Sequence, residues 1–348
     1  MTVLLEESFT ADWLMQQYFP PVRYVVDGVI PEGFCLLVAP PKFGKSWLVL
    51  GLGLAVAAGT PALGVIPTGK PRPVLYAALE DGPRRLQSRI RALNPEKIED
   101  TLAFITTIKR DEIFPTLQAF VDRWHDHEPV VILDTLGKAM PSAVSGESAY
   151  ERDYRVGGML KSVADSAPGA AIVVVHHTRK ADSPDFLDAV SGTQGLAGSA
   201  DTIVVLSRER LSKDATLRVT SRDAAEGEYR ITLEGVGTWA LAGGSLREAA
   251  EAAQTARATA GVGDRMGELI ETVSRFPEGV KPKDIATITQ IDTDDVGRYL
   301  RRAVDAGRVE KLSRGLYGPV RSVRMSESEL PIGQTDTSDT VLDEGTGE

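Results

Sequence analysis

The residues with the clearest chemistry form one run, Ala39-Pro40-Pro41-Lys42-Phe43-Gly44-Lys45-Ser46, followed by Trp47. An apolar run, Phe34–Ala39, precedes the loop, and an apolar helix-like run over 46–58 follows it. A tight turn between a strand and a helix can hold phosphate oxygens, through backbone N–H groups and the positive end of the helix. In such a loop Lys45 reaches the outer phosphates of a nucleoside triphosphate, and Ser46 ligates Mg²⁺. The usual first glycine is Ala39 here, and Pro40 and Pro41 have no N–H to donate. The cradle therefore falls mainly to Phe43, Gly44, Lys45 and Ser46.

Splitting a phosphoanhydride also needs carboxylates. Asp134 closes the apolar run Val130–Leu133, and a charge ending a buried strand is costly unless it is paired or metal-bound. It is the candidate magnesium carboxylate. Glu80-Asp81 closes Pro73–Leu79, so Glu80 is the candidate general base and Asp81 a candidate second group at the metal. The run Ala171–Val175 ends in His176-His177-Thr178-Arg179-Lys180, where a polar group can sense a γ-phosphate and pass its presence to the next loop. A zinc centre lacks partners, because the chain has four His and one Cys.

These groups need a frame. Apolar runs at 34–39, 73–79, 102–108, 130–133, 171–175 and 202–206 alternate with helix-like stretches at 46–58, 82–93, 115–127 and 150–165. That order predicts an α/β fold with a mostly parallel sheet covered on both faces. Residues 216–221 and 229–233 alternate at period two, as an antiparallel hairpin does. The expected organisation is a lead-in over 1–30, an ATPase domain over 31–241 and a linker, or a solvated helix, over 242–263. A three-helix-plus-hairpin unit over 264–322, in the order of a winged helix-turn-helix, and an acidic disordered tail over 323–348 follow.

Taken in order, VIPEG, PKFGKSW, VLYAALED, VVILDTL, VVVHHTRK and SGTQGLAGSADTIVVL resemble the RecA-like ATPases, and among them the RepA-type group of hexameric plasmid helicases. The likeness covers about residues 10–240. It implies ATP and Mg²⁺ as ligands, with the segment Ala39–Trp47 around the nucleotide. Lys45 and Ser46 match the Walker A pair, Glu80 the catalytic glutamate, Asp134 the Walker B aspartate and His177 the γ-phosphate sensor. Arg89 matches an arginine that stacks on adenine. Sites of this kind lie between subunits, which implies a homo-oligomer, in this group a hexameric ring, with an arginine finger in trans. Arg222 is the first candidate, with Arg208 and Arg210 as competitors. Loops at about 137–149 and 180–198 would face single-stranded DNA, yet beyond Lys138, Arg179 and Lys180 they carry little positive charge.

The formal net charge is −10, but residues 325–348 hold seven acids and no Lys or Arg. Residues 298–324 hold eight basic residues and two acids. Arg298, Arg301 and Arg302 on a recognition-helix region, with Arg308, Lys311 and Arg314 on a wing, form a candidate footprint for duplex phosphates. Cys35 alone excludes an internal disulfide and fits a reducing, cytoplasmic setting. The uncharged stretch Trp47–Ile66 is broken by Gly59-Thr60-Pro61, which argues against a membrane span. The leading expectation is an ATP-hydrolysing, helicase-like DNA motor. A recombination or repair ATPase that binds single strands without unwinding, and a nucleotide-gated DNA-binding regulator, stay open beside it.

Overall fold

The computed structural model describes residues 8–177, 194–208, 212–260 and 262–320. Arg179, Lys180, Arg210, residues 180–193 of the second channel loop and the acidic tail lie outside the described residues. The chain divides into two compact units, Met1–Gln254 and Thr255–Glu348.

In the first unit a short helix, α1 (Ala11–Met15), precedes a small antiparallel pair, β1 (Tyr24–Val26) and β2 (Ile30–Pro31). Then come β3 (Gly33–Ala39), α2 (Lys45–Ala58), β4 (Val74–Ala78), α3 (Pro83–Leu93), β5 (Leu102–Ile105) and α4 (Ile113–Arg123). β6 (Val130–Asp134), α5 (Leu136–Ala139), α6 (Ala149–Asp165), β7 (Ala171–His177), α7 (Gln194–Ser199) and β8 (Thr202–Arg208) continue the alternation. β9 (Asp214–Ser221), β10 (Gly227–Glu234) and β11 (Thr238–Leu241) follow, then α8 (Leu246–Thr259).

One nine-stranded sheet runs β11-β10-β9-β8-β3-β7-β6-β4-β5. The strands from β8 to β5 pair in parallel, and β9–β11 are added antiparallel. This is the expected α/β architecture, a mostly parallel sheet flanked by helices. The β3 sequence shows why its residues are apolar throughout. Cys35, Leu37 and Ala39 pack into one core, whereas Phe34, Leu36 and Val38 pack into the other. Period-two alternation therefore puts every residue from Phe34 to Ala39 into a core, and each large side chain so buried contributes about 1.5–3 kcal/mol. The first core is closed by α2, whose KSWLVLGLGLAVAA sequence is apolar nearly all round, and by β9–β11. The second core is closed by α4 and α6. No helix among the described residues is long and apolar enough to cross a membrane.

Within 242–263, read as a solvated helix or linker, Leu246–Thr259 is a helix, and Ala249 is fully buried in the first core. Its run of alanines hid a packing face behind a composition that looks solvated. β1, β2 and β11 also lacked a sequence signal long enough to separate them from loop.

The second unit contains α9 (Asp264–Ser274), α10 (Pro282–Thr289), α11 (Thr293–Asp305), β12 (Val309–Ser313) and β13 (Leu316–Pro319). β12 and β13 pair antiparallel, and Val280 bridges to Tyr317. Leu269, Ile270, Val273, Ile285, Val296 and Leu300 form its core.

Candidate nucleotide site

Four parallel strands bring the candidate groups together at their C-terminal ends. β3, β7, β6 and β4 are consecutive neighbours in the sheet. Ala39 on β3 is in register with His177 on β7, and Asp134 on β6 is in register with both Val175 and Ala78. Sheet register alone thus places the loop lysine, the histidine pair, Asp134 and the Glu80 turn along one edge. Ligands of open α/β sheets bind at this edge.

The loop is built by two left-handed residues, Lys42 (φ 67°) and Gly44 (φ 94°). Gly44 is needed on two counts. Its φ is costly for an L side chain, and a Cβ there would stand 2.9 Å from Cζ2 of Trp239. Trp239 Nε1 also donates to the Gly44 carbonyl at 3.2 Å. Arg208 stacks its guanidinium near both Phe43 (5.7 Å) and Trp239 (5.8 Å). Sequence reading missed this buttress, because Trp239 lies on a strand with no motif around it.

α2 begins at Gly44 without a side-chain cap, so the N–H groups of its first turn have no intrahelical partner. That exposed positive helix end suits a phosphate. Lys45 is buried, and its ammonium donates to the carbonyls of Ala39 (2.7 Å) and Pro40 (2.9 Å) and to Nδ1 of His177 (3.0 Å). Its three N–H groups are therefore all used. Burial pulls its pKa down to about 8, against the raising effect of Asp134 and Glu80.

Because His177 Nδ1 accepts from an ammonium, the ring proton belongs on Nε2, which lies 3.9 Å from Oε1 of Glu80. Burial, with Lys45 nearby, lowers the His177 pKa, and that of the half-buried His176 falls to about 4. Both imidazoles are neutral at pH 7. Glu80 is exposed, and its Oε1 accepts from Thr135 Oγ1 at 3.0 Å.

Asp134 is buried, and Oδ2 accepts from the hydroxyl of Tyr76 at 2.8 Å. Burial raises its pKa, while Ser46 and Tyr76 favour the charged form. Oδ1 is buried and has no hydrogen-bond partner of normal geometry. A buried carboxylate oxygen left open beside Ser46 is what a hard divalent cation would satisfy. Tyr76 was not anticipated, although a phenol inside the apolar strand Val74–Ala78 is itself a signal that a buried polar partner is close.

The other expected residues lie as follows. Asp81 turns toward α3, where Arg85 (2.9 Å) and Arg89 take its two oxygens. Both of its oxygens are thus held in ion pairs with α3. Arg89 also lies over the indole of Trp47, 5.3 Å from its centroid. Arg208 is committed to its own loop, with Nη2 3.5 Å from the Lys42 carbonyl. Arg222 follows β9 at the far end of the sheet, since Ser221 pairs with Thr202 and Thr202 pairs with Cys35. It donates to the Gly198 carbonyl at 3.0 Å and stands 3.8 Å from Asp201. Arg222 therefore cannot serve the loop of its own chain.

Arg298, Arg301, Arg302, Lys311 and Arg314 are all exposed. Arg298 pairs with Asp295 at 2.6 Å. The first turn of α11 carries Asp294 and Asp295 behind the cap Asp292, an acidic end that repels phosphate.

The sheet and this edge define a P-loop nucleotide-binding protein. More particularly, the family described as the AAA domain matches residues 3–183, more than half of the chain, and the chain belongs to that family. Three solved structures are similar to it. A KaiC-like protein of the hyperthermophilic archaeon Pyrococcus horikoshii OT3 shares 14% identity over 64% of this chain and 100% of its own, with TM-score 0.45. A DnaB-like replicative helicase shares 14% over 60% of this chain and 57% of its own, with TM-score 0.46. The RadB recombinase shares 17% over 67% of this chain and 96% of its own, with TM-score 0.42.

Proposed function

We propose that this chain hydrolyses ATP at the C-terminal edge of its parallel sheet and uses the turnover to act on DNA as an oligomeric, RepA-like hexameric helicase in the cytoplasm. The observation that carries the reading is the meeting of Lys45, His177, Asp134 and Glu80 on four adjacent strand ends.

Each residue has a task its geometry supports. The first-turn N–H groups of α2 hold phosphate oxygens, and Lys45 leaves the carbonyls of Ala39 and Pro40 for the outer phosphates. Ser46 and Oδ1 of Asp134 would hold Mg²⁺, which when bound offsets charge on the phosphates. Glu80 takes the proton of the attacking water, oriented by Thr135. His177 lies between the lysine and the base and reports what occupies the loop. The Trp47–Arg89 stack is the candidate wall for the adenine.

The remote position of Arg222 supports a site completed by a second copy of the chain, in which that arginine acts in trans. The exposed Arg301, Arg302, Lys311 and Arg314 suit phosphate contacts of a winged helix-turn-helix on duplex DNA.

The test is ATP turnover with and without single-stranded DNA, followed by unwinding of a forked duplex, for the wild type and Lys45→Ala. DNA-stimulated turnover and unwinding that both vanish in the variant support the reading. DNA-stimulated turnover without unwinding would move it to a recombination-type ATPase, and turnover untouched by Lys45→Ala would overturn it.

A further inference from the structure

Two large aromatic side chains stand in solvent on the first turns of α6. Tyr150 is 54% exposed and Tyr154 is 57% exposed. They are one helical turn apart, with ring centroids separated by 6.3 Å and planes only 18° from parallel.

The backbone that presents them is fixed on both sides. A reciprocal capping box starts the helix: Ser148 Oγ accepts from Glu151 N at 3.2 Å, and Glu151 accepts from Ser148 N at 2.8 Å. From the other side α7 lies against the same two residues. A Cβ on Gly195 would stand 2.7 Å from the Tyr150 carbonyl and 2.8 Å from Tyr154 N. The pair thus sits between the loop that precedes α6 and the helix that ends the second expected channel loop.

The cations of this helix are turned away from solvent ligands. Arg152 donates to the Pro141 carbonyl, and Arg155 pairs with Glu147 at 2.7 Å. What this region presents is flat aromatic surface with little free positive charge. A polyanion held through phosphates needs Lys or Arg, whereas one held through its bases needs rings to stack on. Two half-exposed tyrosines offer roughly 200 Å² of surface, well under the 800 Å² or so that each partner buries in a standard protein interface.

We infer that Tyr150 and Tyr154 form a stacking platform for unpaired bases of single-stranded nucleic acid. The inference rests on the reading of the chain as a DNA-acting ATPase. It explains how a channel poor in basic side chains can still hold a strand, because stacking supplies affinity that salt does not screen.

The test uses the full-length chain and fluorescence anisotropy with labelled oligo-dT, oligo-U and abasic oligomers of roughly 20 nucleotides, a length that covers more than one binding footprint. Tyr150→Ala and Tyr154→Ala are each expected to weaken oligo-dT binding by about 5- to 100-fold, while the phenylalanine variants retain it, since a ring still stacks. The wild type should bind the abasic oligomer as poorly as the alanine variants bind oligo-dT. The salt dependence of the residual binding and the ATP turnover without nucleic acid should be unchanged. Equal binding of oligo-U supports a platform blind to the sugar, and preference for oligo-dT supports one that faces DNA. If the wild type binds oligo-dT and abasic oligomers alike, or if the alanine variants bind as the wild type does, the platform is wrong and the ATPase reading stands. If the wild type binds no oligomer, the platform and the action on single strands both fall, and ATP turnover is left to the Lys45→Ala test. A change in solution mass of the alanine variants by light scattering would make the pair an interface between copies, which also overturns the platform.

Discussion

Nζ of Lys45 lies 3.0 Å from Nδ1 of His177, and Nε2 of the same ring lies 3.9 Å from Oε1 of Glu80. The phosphate lysine and the candidate base are thus joined by one imidazole. If Lys45 leaves for a phosphate, as proposed, His177 loses the hydrogen bond to that ammonium.

His177→Ala should therefore lower ATP turnover by about 100-fold, at the low end of what a positioned proton-transfer system contributes. Affinity for ATP should change by only a few-fold, because the ring is not part of the phosphate cradle. Steady-state turnover and equilibrium nucleotide binding measured side by side check this. A large loss of affinity with turnover per bound nucleotide intact would contradict it.

The lysine has its own pH signature. Burial pulls Lys45 to about 8, so near pH 8 about half of it is neutral in the free protein. Phosphate oxygens favour the charged form, so nucleotide binding raises this pKa and takes up a proton. Calorimetry of ATP binding in buffers of different ionisation enthalpy should show an uptake of about half a proton at pH 8 beyond that of Lys45→Met. At pH 6.5 the difference should vanish, because the lysine is already charged in both states.

Tyr76→Phe removes the donor to Oδ2 of Asp134 and leaves a buried carboxylate with less support. Unfolding in guanidinium should reveal a loss of about 1–3 kcal/mol, the cost of stranding a buried acceptor. If Asp134 is the metal carboxylate, addition of Mg²⁺ and ATP should restore part of the loss. A variant as stable as the wild type without ligand would mean that the phenol carries no load at this edge.

Much of this edge was legible in the sequence, and the reason is physical. The acids after Val130–Leu133 and after Leu79 each end a run that reads as a buried strand, the loop before Lys45 follows another, Phe34–Ala39, and parallel strands align such ends. What could not be read was set by contacts between distant residues. Asp81 and Glu80 are adjacent in sequence, and only the fold shows that Asp81 is held by Arg85 and Arg89 while Glu80 accepts from Thr135. The Trp239 indole against Gly44 joins residues far apart in the chain. The buried face of the helix over Leu246–Thr259 was hidden because alanine faces bury as readily as they solvate.

In the second unit, exposed cations differ in how free they are. Arg301→Ala, Arg302→Ala, Lys311→Ala and Arg314→Ala should each reduce the salt slope of duplex binding by about 0.9, one released counterion per contact. Arg298→Ala should do little, since that guanidinium is already paired with Asp295. Binding isotherms over a range of salt concentrations decide this. Slopes unchanged in all five variants would remove this unit from duplex recognition.

The most direct test of the account is single-turnover hydrolysis by Glu80→Gln with saturating Mg²⁺ and ATP. The amide keeps the shape of the side chain and cannot accept the proton of a water. The expected result is ATP bound as tightly as by the wild type and hydrolysed about 100- to 10,000-fold more slowly. Hydrolysis at the wild-type rate would contradict the assignment of the base, and with it the reading of this strand edge as a site of ATP turnover.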